Sequence, residues 1–205
     1  SYDRIRSMID RTILPASSLQ HQSVIDTLSN AFMTDPALSF IVPDEAARAK
    51  MLPKLFALLV PDDSKAGAVM RSGNDEAAAL WRHPGMAKDA GGTSFALMWN
   101  MLRIFGLSIA RASTVADALA AHLPDGRYHY LHFVGVRRAH QGKGWGGAII
   151  REGLARADAD SLPTWLETAT PENVPLYQRL GFVTQVEWDI PKGGPHFWGM
   201  MRAPG

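Results

Sequence analysis

Residues 128–147 read YHYLHFVGVRRAHQGKGWGG. The first nine, Tyr128 to Val136, are almost continuously apolar or aromatic, which suits a central strand covered on both faces. A polar turn follows, then the glycines Gly142, Gly144, Gly146 and Gly147, then a helical pattern from about Gly144 to Asp160. In that helix Ile149, Ile150, Leu154 and Ala157 share the inward face, with Arg151, Glu152, Arg156 and Asp158 outward. A glycine-rich bend between strand and helix binds anions. Its backbone N–H groups converge, the helix start adds unpaired donors and partial positive charge, and glycine lets the chain approach closely. Arg137, Arg138 and Lys143 either add charge to this cradle or are solvated turn residues.

Outward from this core the pattern alternates helix and strand. RTIL (11–14) is β-compatible, and Ser17 or Ser18 can cap a helix through Val24, Leu28 and Phe32 that ends at Asp35-Pro36. A second helix is expected from Glu45 to Val60, closed by Pro61. Segments 66–73 and 76–83 read as a hairpin about Asn74-Asp75. Two helices are expected near 93–105 and 111–122, a strand at 164–168, and a helix from Glu172 to Leu180 ending at Gly181. Val183–Ile190 and His196–Met201 form a final strand pair. The expectation is one α/β domain over 1–205, a mixed twisted sheet flanked by helices.

Composition narrows the function. The 205 residues are 46% hydrophobic and 20% charged with net charge +1, ordinary for a globular chain and without the basic stripe of a nucleic-acid or membrane binder. No run approaches 18 consecutive apolar residues and the first residues carry charges, so the expected location is cytoplasmic. The absence of cysteine removes disulfides, thiolate metal sites and a cysteine nucleophile. None of the seven histidines has a compact ligand spacing, and no metal is expected. The sequence leaves open monomer or homodimer.

Gly142, Gly144 and Gly147 also fit G-x-G-x-x-G, with Glu167 at a plausible distance for a ribose contact. Two features oppose a dinucleotide fold. Five residues separate strand and glycines, and only 38 residues follow Glu167, too few for further βαβ units.

Gln141-Gly142-Lys143-Gly144-Trp145-Gly146 matches Q/R-x-x-G-x-G/A, the acetyl-CoA loop of the GNAT superfamily, and Asn173 with Leu176–Phe182 (LYQRLGF) matches its second motif. The chain therefore resembles that superfamily. Over Tyr128–Arg202 it is similar to the puromycin N-acetyltransferase branch, more loosely so over Phe32–Pro43. The resemblance implies that backbone groups of Val134, Gly135 and Val136 pair with the pantetheine arm where the central strand splays from its neighbour. It implies that Gln141 to Gly146 hold the pyrophosphate, that Asn173 bonds the pantetheine side, and that Tyr177 is general acid beside the thioester sulfur.

The chemistry has its own demands. An amine attacking a thioester must lose a proton, the oxyanion needs a donor such as an N–H near Val136, and the thiolate must be protonated. Without cysteine, direct transfer in a ternary complex is simpler than an acyl-enzyme. Tyr177 is either that acid or a core aromatic; Glu167 is a base, a site for a cationic acceptor, or a structural partner of a nearby Arg. Trp81, Trp99, Trp145 and His132 are assigned to structure. The expected activity is acetyl transfer from acetyl-CoA to a primary amine of a small molecule, its pocket formed by the first two helices, the Trp81 region and 91–122. The rivals are a non-catalytic acyl-CoA-binding module and a protein N-acetyltransferase.

Overall fold

The computed structural model describes residues 11–87 and 95–205. Strand β1 (Ile13–Pro15) precedes a 3-10 turn at Ser18–Gln20, closed by a reciprocal Ser17–Gln20 capping box, which leads into α1 (His21–Ala31). Asp35 does more than end that helix. With Pro36 in the first turn, its carboxylate accepts from Leu38 N at 2.9 Å and starts α2 (Pro36–Ile41), an element not expected from the sequence.

Helix α3, capped by Asp44, runs Glu45–Ala66, so Pro61 does not close it. A proline removes one N–H and crowds the preceding turn. Here packing prevails: Leu52, Phe56 and Val60 are fully buried, and Asp63 in the last turn is pinned to Arg82, Oδ1 to Nε 2.5 Å. Strands β2 (Gly67–Ser72) and β3 (Ala77–Arg82) form the expected hairpin. Then come α4 (Phe95–Phe105) and α5 (Ile109–Ala121), joined by a 3-10 turn; the start expected at 93 lies outside the described residues. By length and composition the run Trp99–Ala121 could cross a membrane. Only 11% of its apolar window is buried, and α5 packs on α2 while α4 packs on α3.

Strand β4 (His129–Val136), helix α6 (Trp145–Ala159), β5 (Thr164–Thr168), a 3-10 turn at Pro171–Asn173, α7 (Val174–Arg179), β6 (Val183–Asp189) and β7 (His196–Arg202) complete the order. The described strands form one sheet in the order β1-β2-β3-β4-β5-β7-β6, antiparallel except for β4-β5. Period-two alternation sorts its side chains to two faces. Ala78 and Leu80 meet Leu28, Leu52 and Phe56 on the α1–α3 face, while Ala77, Ala79 and Trp81 meet Ile149, Ile150 and Leu154 of α6.

Gly153 lets α6 approach the sheet. A Cβ there would lie 2.1 Å from Trp81 Cζ2, and Trp81 is buried. Gly153→Ala is expected to destabilise the fold by about 1–3 kcal/mol through overpacking, read as a lowered melting temperature.

Candidate active site

Strands β4 and β5 pair at His129 with Thr164 and Tyr130 with Trp165, and then diverge. Which backbone groups face the gap follows from the β3 register. Arg137 N donates to Glu76 O at 2.8 Å, so in an antiparallel ladder Gly135, two residues earlier, also turns its N–H and C=O to β3. Val134 and Val136 present theirs to the gap; Gln141 Nε2 reaches the Val136 carbonyl there at 3.2 Å. Of the three residues expected to pair with an extended arm, Gly135 is thus engaged elsewhere. Its missing side chain is what counts, because a Cβ would stand 2.7 Å from Ala31 Cβ.

The bend after β4 has the properties of an anion cradle. Gly142 (φ 73°) and Gly144 (φ 83°) adopt left-handed conformations, and the first backbone bond of the helix is Ala148 N to Gly144 O. Among the described residues the amides of Gly142, Lys143, Gly144, Trp145, Gly146 and Gly147 have no acceptor. A Cβ on Gly142 would meet nothing within 4 Å, while Gly146 sits against Leu176 and Val136. Six amides without an acceptor at a helix start suit a diphosphate.

Two guanidiniums flank the cradle. Arg11 Nη2 donates to Lys143 O at 2.6 Å with its guanidinium 5.8 Å from the Trp145 ring centroid, and Arg151 Nη1 lies 3.3 Å from where a Gly147 Cβ would be. The basic residues read from the loop behave differently. Arg137 Nε is tied to Asp75 O (2.7 Å) and Thr27 Oγ1 (3.1 Å), and Lys143 Nζ folds back to Ala139 O; Arg138 is exposed. Arg11 gave no sequence signal, since its contact spans 132 positions.

From the gap a cavity of about 790 Å³ opens toward α4 and α5, and Val134, Glu167, Asn173 and Tyr177 all line it. Phe32, near the end of the first expected helix, the second expected helix within α3 and the 95–121 region contribute. Trp81 is core on the opposite face, and none of Trp81, Trp99 and Trp145 lines the cavity. Glu167, half-buried, has its carboxyl pushed up to about 7 by burial, offset in part by hydrogen bonds from Trp165 and Tyr130. Trp165 Nε1 donates to Glu167 Oε1 at 2.6 Å. Among the described residues no arginine pairs with Glu167; its partners are Trp165 and Tyr130.

Tyr177 is buried with Phe182 edge-on at 6.0 Å. Burial, and next the nearby negative charge of Asp35, hold its hydroxyl well above the usual phenol value. Burial likewise raises the carboxyl of Asp35, against the amide hydrogen bonds of Leu38 and Ala37. Asn173 is half-buried at the start of α7, and among the described residues its side chain makes no hydrogen bond.

A second polar cluster lines the cavity deeper in. The β-bulge between β3 and β4 turns His132 toward α3, where its Nδ1 meets Asp63 Oδ2 at 2.7 Å. Arg82, fully buried, bridges Asp63 and Asp62 (Nη2 to Oδ2 2.8 Å). His132 is therefore a satisfied histidine that also faces the cavity. No group of three or more His, Asp or Glu suited to a metal occurs among the described residues.

The comparisons with known proteins agree with this geometry. Residues 71–182, more than half of the chain, match the acetyltransferase (GNAT) family. An uncharacterised N-acetyltransferase of Schizosaccharomyces pombe is 28% identical over 172 residues, covering 78% of this chain and 69% of its relative. A Corynebacterium glutamicum structure described as histone acetyltransferase HPA2 and related acetyltransferase superposes with TM-score 0.74 at 25% identity, covering 96% of this chain and 97% of that one. Arylalkylamine N-acetyltransferase 2 of Aedes aegypti shares the fold, with TM-score 0.63 at 13% identity over 95% and 99% of the two chains. With a splayed parallel strand pair, a cradle of free amides and a family match spanning both, this chain belongs to the acetyltransferase (GNAT) family.

Proposed function

We propose that this chain moves the acetyl group of acetyl-CoA onto a primary amine of a small-molecule acceptor, by direct attack in a ternary complex. The observation that carries the proposal is a cavity that opens from the β4-β5 gap at Val134 and brings Glu167 and Tyr177 onto one wall, with the glycine bend following at the end of β4. Bound at the bend, the thioester supplies an activated acyl carbon; the chain supplies everything else. The amides of Gly142 to Gly147 with Arg11 and Arg151 hold the diphosphate, and Val134 and Val136 align the arm as an added strand. Glu167 takes a proton from the ammonium, directly or through water, the Val136 N–H faces the developing oxyanion, and Tyr177 donates to the departing sulfur.

Acetyl-CoA turnover with an amine panel, followed by thiol release, tests this. The panel includes aminonucleosides, for the resemblance to the puromycin branch, and lysine peptides, since the Corynebacterium relative is described as a histone acetyltransferase. Release with small amines under intersecting, sequential kinetics is expected. Binding without release would mark a non-catalytic module, ping-pong kinetics would refute direct attack, and preference for peptides would favour a protein acceptor. Arg11→Ala is expected to weaken acetyl-CoA binding about tenfold and flatten its salt dependence with kcat nearly unchanged, as measured by calorimetry at two ionic strengths.

A further inference from the structure

We infer that the acceptor is an amphiphile: a primary ammonium carrying one uncharged apolar body, aromatic or aliphatic, and no second charge. The inference rests on the proposed acetyl transfer and comes from the unequal ends of the cavity. At the end next to the β4-β5 gap stand Asp35, Glu167 and Tyr177. Arg82 is a buried cation on the cavity wall, and its charge is already answered by Asp62 at 2.8 Å and Asp63 at 2.5 Å. Lys65, an exposed residue in the last turn of α3, and His132, held by Asp63 Oδ2 at 2.7 Å, are the other basic side chains on the wall. Asp35 and Glu167 are thus left to face an incoming ammonium.

The far end differs in kind. Helices α4 and α5 contribute Met101, Phe105, Ile109, Ala112, Val115 and Leu119, and the lining residues from these two helices include no charged side chain. Such a wall holds water poorly and rewards burial of apolar surface. A second ammonium placed there would lose hydration with no partner, which disfavours polyamines and lysine-rich peptides.

The test is kcat/KM across ethylamine, butylamine, hexylamine and phenethylamine, against putrescine and a lysine peptide. A rise of about fourfold per methylene is expected until the cavity fills, from the transfer free energy of a methylene. Putrescine should fall at least a hundredfold below hexylamine, since it lacks the apolar tail and carries a second charge. Two wall variants bear on the same end. Ala116→Asp, at an exposed position on α5, should narrow the gap between putrescine and hexylamine. Ala112→Phe should shorten the best chain length, and melting temperatures check that both fold.

A flat series, or preference for putrescine or the peptide, overturns the inference while leaving acetyl transfer intact. A gain that follows lengthening of the acyl donor instead of the amine assigns the apolar end to the thioester and overturns it too. If acetyl-CoA binds but no amine is turned over, the proposed transfer itself fails, and the acceptor class with it.

Discussion

Glu167→Gln is expected to lower kcat/KM roughly a hundredfold or more and to abolish the acidic limb of its pH profile, which in the parent protein should bend near pH 7. A base must be deprotonated to act, so activity rises as pH climbs through the carboxyl's raised value. Stability should move the opposite way. The carboxyl is held at about 7 in the fold against 4.5 in an open chain, so from pH 4.5 upward the unfolded state gives up its proton first. Stability is therefore lost as pH rises from about 4.5 to 7, a penalty on the order of 3 kcal/mol above that window. Glutamine, always neutral, escapes it. At pH 8 the variant should melt higher than the parent and at pH 4 the two should converge, while turnover at pH 8 collapses. A carboxylate that merely braced the fold would lose stability on replacement and leave the pH profile of kcat/KM in place.

How far the sequence carries depends on the range over which each feature is specified. The β4–bend–α6 unit was legible because a continuous apolar run, clustered glycines and a 3.6-residue period all lie within about thirty consecutive positions. Even there, the commitment of Gly135 to β3 needed the register against Glu76, which only the folded sheet supplies. Where local rules and packing conflict, packing wins: Pro61 reads as a stop, yet α3 continues because Asp63 must reach Arg82. Asp35-Pro36 carries a double signal, since an acidic cap followed by proline begins a helix as readily as it follows one. Arg11, Tyr130 and the Asp63–His132 contact had no local signature; the bulge that turns His132 toward α3 is a property of two strands together. Motif spacing therefore located the glycine-lined end of the site, whereas the cavity, assembled in large part from α2 to α5, had to be seen folded.

Tyr177→Phe is the complementary expectation: kcat lowered by about a hundredfold, acetyl-CoA affinity and melting temperature nearly unchanged. The ring's packing against Phe182 survives the exchange, and among the described residues no hydrogen bond of the hydroxyl is lost with it. What disappears is a proton donor. Burial and the neighbouring Asp35 keep that hydroxyl protonated throughout the working pH range, so it is always armed as an acid but too weak to protonate the sulfur before the carbon–sulfur bond has stretched. Its contribution must then grow with the basicity of the leaving thiolate. An acetyl donor whose thiol has a lower pKa should need the donor less, and the ratio of parent to Tyr177→Phe rates should shrink along such a series. A constant ratio would make Tyr177 a positioning residue, and an undiminished kcat would return it to the core aromatics. In the proposed mechanism Glu167 and Tyr177 divide the chemistry by environment: burial brings one carboxyl up to where it can accept a proton near neutrality, and carries one phenol beyond where it can lose its own.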